Sequence, residues 1–328
     1  MNHVTRFRLG TRHAGTIPPM SALFDKRLVI VTGKGGVGKS TVALALSLAA
    51  AKAGKRTILC EVAAQEHLSK VFHRAEVGFH EVEMAENLWG ISIDPDESMR
   101  EYVLLQLKVK AMRDLLFRSK IFTYLAAATP GLKELVTIGK IWELTLDDRK
   151  VRKGHTYDLV VVDAPATGHG VGFLQTPRTF AGIARVGPMH QQAKTLDKFV
   201  TDPKKTGVAI VALPEEMPVN ETANLERDLT EEVGVEVDRI FLNGLYPERF
   251  SPAEVARLEQ VAGQNGDGNG PVRAACRSAI RESRRAASQR EQLARLEEMT
   301  KAPITTLPYL FDPEIGVEQI EALAEEIA

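Results

Sequence analysis

Two periodicities alternate along the chain. RLVIV (27–31) is a short, unbroken apolar run rich in β-branched residues, and Gly33 closes it. TILCEV (57–62), LWGISI (88–93), YDLVVVD (157–163), VAIVAL (208–213), RIFLN (239–243) and ITTLP (304–308) repeat the pattern. Runs this short and this apolar read as strands covered on both faces. The intervals between them carry helical spacing; KSTVALALSLAAAKAG, for example, predicts a helix that closes at Gly54. Strands separated by helices predict an α/β chain, a three-layer, mostly parallel, doubly wound sheet with helices on both faces.

One interval departs from this alternation. Across residues 97–150 the pattern stays helical, with Tyr102, Leu105, Val109, Met112, Leu116, Leu125, Leu135 and Trp142 at helical spacing and no strand-like run. It is expected to be an all-helical insertion between two strands of a single domain spanning 25–328. Residues 1–24 are expected to be a disordered extension, because the segment to Pro19 is basic, lacks acids and has no apolar stretch of signal-peptide type. Met20 is an alternative start. AGQNGDGNG (262–270) has the composition of a flexible linker. The stretch that follows sets Arg273, Arg277 and Arg281 four residues apart, the spacing of a solvated helix face.

Composition narrows the function. A net charge of −1 argues against an electrostatic nucleic-acid binder. The sequence contains no apolar run long enough to span a bilayer, so membrane contact is expected to be indirect at most. Cys60 and Cys276 have no metal-ligand spacing and form no disulfide framework, which suggests a reducing, cytoplasmic compartment. The histidines show no metal spacing either.

The candidate chemistry begins where the first strand ends. GKGGVGKS (33–40) fits G-x-x-x-x-G-K-S between a strand and a helix. Gly33, Gly35, Gly36 and Gly38 let the backbone wrap phosphate oxygens, with Val37 completing the loop. Lys39 reaches the β- and γ-phosphates, the Ser40 hydroxyl holds Mg²⁺ and Thr41 touches the α-phosphate. Asp163, at the carboxyl end of its strand, is the second acid expected to hold Mg²⁺, through water. The expected ligands are therefore a nucleotide that carries a γ-phosphate, which the resemblance described next implies is ATP, and Mg²⁺.

Lys34 is a second lysine in this loop. KGGVGKS resembles the deviant Walker A motif of the P-loop ATPases that include MinD, ParA, the nitrogenase iron protein and the arsenite-pump ATPases. The resemblance implies that Lys34 acts in trans across a nucleotide-sandwiched dimer, as an arginine finger does. DAPATGHGVGFL (163–174) resembles the switch II segment of the ArsA-type ATPases, the arsenite-pump and tail-anchored-protein-targeting enzymes. Asp163, Thr167, Gly168, His169, Phe173 and Leu174 match in place, and Pro165 is shifted by one. Glu221 and Thr222 match the family's P-E-x-x-x-x-x-E-T segment. Asn243, in FLNGLYP, matches the asparagine that reads adenine, since an amide offers both a donor and an acceptor. The resemblance covers most of residues 27–325 and implies a switch ATPase, as a homodimer or paired with a related ATPase, that acts on a client protein.

The sequence departs from the family at three points. Ala63 stands where the water-positioning aspartate of switch I belongs. Glu61 and Glu66 are the candidate substitutes, with Gln65 beside them. The thiols used for metalloid or zinc binding are absent, and soft metalloids need thiolates. Residues 97–150 hold only Met99 and Met112, so no methionine-rich client groove is indicated. A non-hydrolysing subunit paired with a related ATPase, and a ParA/MinD-type positioning ATPase, are the alternatives. The acidic run GVEQIEALAEEIA disfavours the latter's membrane helix.

Overall fold

The computed structural model describes residues 19–62, 67–72, 77–106, 129, 131–149, 155–165, 170–184, 186–263 and 270–328. It opens with α1 (Met20–Phe24), β1 (Leu28–Gly33), α2 (Lys39–Lys52), β2 (Thr57–Val62), α3 (His67–Val71), β3 (Val82–Ala85), β4 (Leu88–Ile93) and α4 (Pro95–Gln106). It continues through α5 (Leu132–Leu144), β5 (Leu159–Asp163), α6 (Gly170–Ile183), α7 (Pro188–Val200), β6 (Thr206–Ala212) and α8 (Glu216–Asp228). The last elements are β7 (Arg239–Leu245), α9 (Pro252–Gly263), α10 (Gly270–Met299), β8 (Ile304–Pro308) and α11 (Val317–Ile327).

The strands form one eight-stranded sheet in the order β3-β4-β2-β5-β1-β6-β7-β8. Every pairing is parallel except β3 with β4. Alternate side chains of one strand serve opposite layers. Leu28 and Ile30 pack with α5, α6 and α7, whereas Val29 and Val31 pack with α2 and α11. Helix α2 is apolar almost all round, from Val42 to Ala51, because it is sandwiched between the sheet and α11. Ile320, Leu323, Ala324 and Ile327 of α11 are buried there, so its apolar face is already occupied. No helix among the described residues is long and apolar enough to cross a membrane.

The seven strands anticipated from sequence form, and β3 adds an eighth. β3 is a short antiparallel edge strand that turns into β4 through Asn87, whose φ is +59°. The expectation of disorder fails at residues 20–24, because Met20–Phe24 form α1 and bury Leu23 and Phe24 beneath the sheet's start. Residues 1–18 lie outside the described residues. Within the 97–150 insertion, the described residues hold helix and no strand.

A knot of buried charge fastens this insertion to the sheet. Lys140 of α5 lies 2.8 Å from Glu101 of α4 and 3.1 Å from Glu143. Arg149 lies 2.8 Å from Glu143 and 2.6 Å from Glu81, with its side chain only 2% exposed. The Tyr157 hydroxyl donates to Glu81 at 2.7 Å. Burial opposes the charge on Glu81, but hydrogen bonds from Arg149 and Tyr157 outweigh it and hold the carboxyl below its ordinary range.

Candidate functional site

β1 lies inside the sheet, between β5 and β6, and its carboxyl end opens the site. The chain leaves β1 at Gly33, where φ is +146° and a Cβ would sit 2.4 Å from the Val211 carbonyl oxygen of β6. Only glycine tolerates that approach. The loop enters α2 at Gly38, whose φ is +90°; a Cβ there would sit 2.4 Å from Asn243 Nδ2. Gly35 and Gly36 between them are exposed, and Val37 is buried. The first turn of α2 holds no acid of its own, so the positive end of the helix dipole is turned toward the loop.

The side chains converge on this helix terminus. Lys39 is buried, and its ammonium donates to the carbonyl of Lys34 at 2.8 Å. Burial lowers its pKa and the Asp163 charge partly restores it. The Ser40 hydroxyl donates to Asp163 Oδ2 at 2.5 Å. Asp163 is 1% exposed, aligned with Val31 of β1 and Glu61 of β2. A hydroxyl touching a carboxylate beside a phosphate loop is an oxygen donor set that suits a hard divalent cation such as Mg²⁺. Thr41 follows in the first turn of α2. Asn243, at the end of β7, donates its amide N–H to the Val37 carbonyl at 3.0 Å and so braces the loop from the far side.

Lys34 points elsewhere. Its ammonium forms a short ion pair with Glu221 of α8, both side chains being partly exposed. The pairing spans 187 residues of chain, and only the order β1-β6 explains it, since α8 follows β6. Glu221 matched a motif in the sequence, yet nothing in the sequence signalled its partner.

Glu61 is 2% exposed, and its Oε1 accepts the Leu68 amide at 2.9 Å, fastening the start of α3 to the end of β2. It is in register with Asp163 on the neighbouring strand and anchors a helix with one of its oxygens. Ala63, Gln65 and Glu66 lie outside the described residues, as do Thr167, Gly168 and His169. Thr32, the last side chain before the loop, was not anticipated from the sequence. It is 1% exposed, and a Cβ on Gly170, the first residue of α6, would lie 2.8 Å from its hydroxyl. The two cysteines are both buried and unbridged.

One family model and three relatives bear on this geometry. The model of the anion-transporting ATPase family, ArsA type, matches residues 26–186 and 181–262. The ATPase BagA of Mycobacterium tuberculosis is 30% identical over 247 residues, covering 73% of this chain and 71% of the relative. The arsenical pump-driving ATPase of Acidiphilium multivorum is 26% identical over 66% of this chain and 39% of its own length. The ATPase GET3 of Podospora anserina is 28% identical over 49% of this chain and 46% of its own length.

Proposed function

Since the chain belongs to the anion-transporting ATPase family and is an ATP hydrolase, we propose that it is a Mg²⁺-dependent switch ATPase that dimerises around its nucleotide and passes the state of the γ-phosphate to a client or partner protein. The observation that carries this reading is the contact of Ser40 with Asp163 beside Lys39, at the open N-terminus of α2.

The residues take these roles. The backbone of Gly33, Gly35, Gly36, Val37 and Gly38 cradles the phosphates, with Thr41 at the α-phosphate. Lys39 exchanges its bond to the Lys34 carbonyl for phosphate oxygens, and its low-dielectric setting strengthens that attraction. Ser40 and Asp163 would hold Mg²⁺, which neutralises charge on the bound phosphates. Asn243 gives one N–H to the loop, leaving its other N–H and its carbonyl oxygen to meet a purine edge. Glu61 or Glu66 orients the attacking water in place of the aspartate that Ala63 replaces. Lys34 completes the partner's site in trans.

Coupling to a client has a physical route. α6 begins within the switch II segment, at Gly170, and α5 of the insertion rests on it: a Cβ at Gly131 would meet Thr176 at 3.4 Å. Displacing α6 therefore displaces the insertion. At the far end of α6, Ile183 and Val186 are 70% and 85% exposed, an apolar pair suited to protein contact.

The test is steady-state ATP hydrolysis by the purified chain, with Lys39→Ala as blank and Ala63→Asp beside it. The expected result is a native rate above the blank that Glu61→Gln or Glu66→Gln removes. A native rate equal to the blank, with ATP still bound and hydrolysis gained by Ala63→Asp, would turn the reading into that of a binding subunit awaiting a catalytic partner.

A further inference from the structure

Lys34 is tied at both ends. Its carbonyl oxygen accepts the ammonium of Lys39 at 2.8 Å, and its own ammonium is paired with Glu221. The residue that must reach out of the loop is thus held by the lysine that binds phosphate and by an acid from a different helix. Glu221 is placed for this by the fold: α8 leaves β6 beside the P-loop, and its second turn comes to lie over residue 34. The second oxygen of Glu221 is buried and makes no hydrogen bond among the described residues, so Lys34 is this carboxylate's charge partner.

We propose that Glu221 is a positioning residue for Lys34: it parks the trans-acting lysine on its own chain until nucleotide and a second copy of the chain arrive together. The proposal rests on the in-trans role of Lys34 given above. When phosphate takes the Lys39 ammonium, the Lys34 carbonyl loses its donor and one tether is gone. The Glu221 pair is the remaining one. It breaks when a second copy offers the more highly charged phosphates of its bound nucleotide. Parking the lysine opposes closure in the absence of nucleotide, because the ion pair must be given up without replacement. Both partners are partly exposed, so the latch is a weak one, which suits a switch that must reopen.

The test is the dissociation constant of the chain's self-association, by sedimentation in ATPγS and Mg²⁺, for the native chain, Glu221→Gln, Lys34→Ala and the double variant. Binding of a fluorescent ATP analogue checks that each variant is folded. Glu221→Gln is expected to tighten self-association about two- to fivefold, the range an ion pair of this exposure commands. Glu221→Asp, which keeps the charge on a shorter arm, should fall between. Lys34→Ala should weaken association, and Glu221→Gln should then change nothing further. Association that depends on Lys34 but is unmoved or weakened by Glu221→Gln overturns the latch alone. A Glu221→Gln gain that persists in the Lys34→Ala background also overturns it, since Glu221 would then be acting on another group. Association indifferent to Lys34→Ala, or none at all in the native chain, removes the in-trans role and the latch with it.

Discussion

Two clusters of charged and polar side chains on one sheet differ in kind. In the knot beside the β3 edge, Glu81, Glu101, Lys140, Glu143 and Arg149 are matched acid to base at 2.6–3.1 Å, with Tyr157 supplying a further hydrogen bond. At the end of β1 the bonds are of another kind. Lys39 rests on a backbone carbonyl, Ser40 on Asp163, and Lys34 on a residue from another layer. The Thr32 hydroxyl there makes no hydrogen bond among the described residues. Buried polar groups in a finished structure are satisfied by groups that never leave. A site that exchanges ligands needs bonds that a better partner can replace. The contrast between fixed and replaceable bonds separates scaffold from machinery here more sharply than burial does, since Arg149 and Lys39 are both buried.

Three changes test that contrast. The largest effect is expected at the site: Lys39→Ala should lower ATP turnover by about 10³-fold, as loss of a transition-state cation does, while urea unfolding of the apo-protein moves little. The knot should respond in the opposite sense. Arg149→Met strands Glu81 and Glu143 in the interior and should cost about 3–5 kcal/mol in urea unfolding, with turnover per folded molecule nearly unchanged. A variant that lost both properties together would erase the distinction. The smallest effect is a pH dependence. Glu81 has its pKa held down in the folded state, so its contribution to stability is present above the ordinary carboxyl pKa. That contribution is lost as pH falls through the depressed value. The native melting temperature should therefore drop on acidification below that ordinary value, and Glu81→Gln should flatten this part of the profile.

The site was more legible in the sequence than the knot, for a physical reason. Gly33 to Thr41 are contiguous, and their chemistry depends on spacing within one loop and one helix turn. Asp163 was legible because a charged residue ending an apolar strand is conspicuous. The central strands were equally plain, because burial on both faces leaves an unbroken apolar run. β3 escaped notice: four residues at an edge, one face wet, give too short a period to register. The knot draws on six residues from 81 to 157, and the Lys34–Glu221 pair on two residues 187 apart. No local pattern carries such pairings, which exist only once the strand order is fixed. Glu61 was legible as an acid near the carboxyl end of β2, but its bond to the Leu68 amide was not.

The position of β5 has a consequence for how the molecule comes into being. It lies between β1 and β2, although β3, β4 and the helical insertion separate it from them in the chain. As the polypeptide leaves the ribosome, the glycine loop emerges early, but neither neighbour of β1 yet exists. Asp163 arrives with β5, and the Val211 carbonyl against which Gly33 packs arrives later still, with β6. Closing so long a loop is slow, and until it closes the first strand has no flanks to hold its loop in shape. The loop is therefore expected to hold nucleotide well only once the chain has been made through β7, whose Asn243 braces it, and bound ATP should then stabilise the assembled sheet.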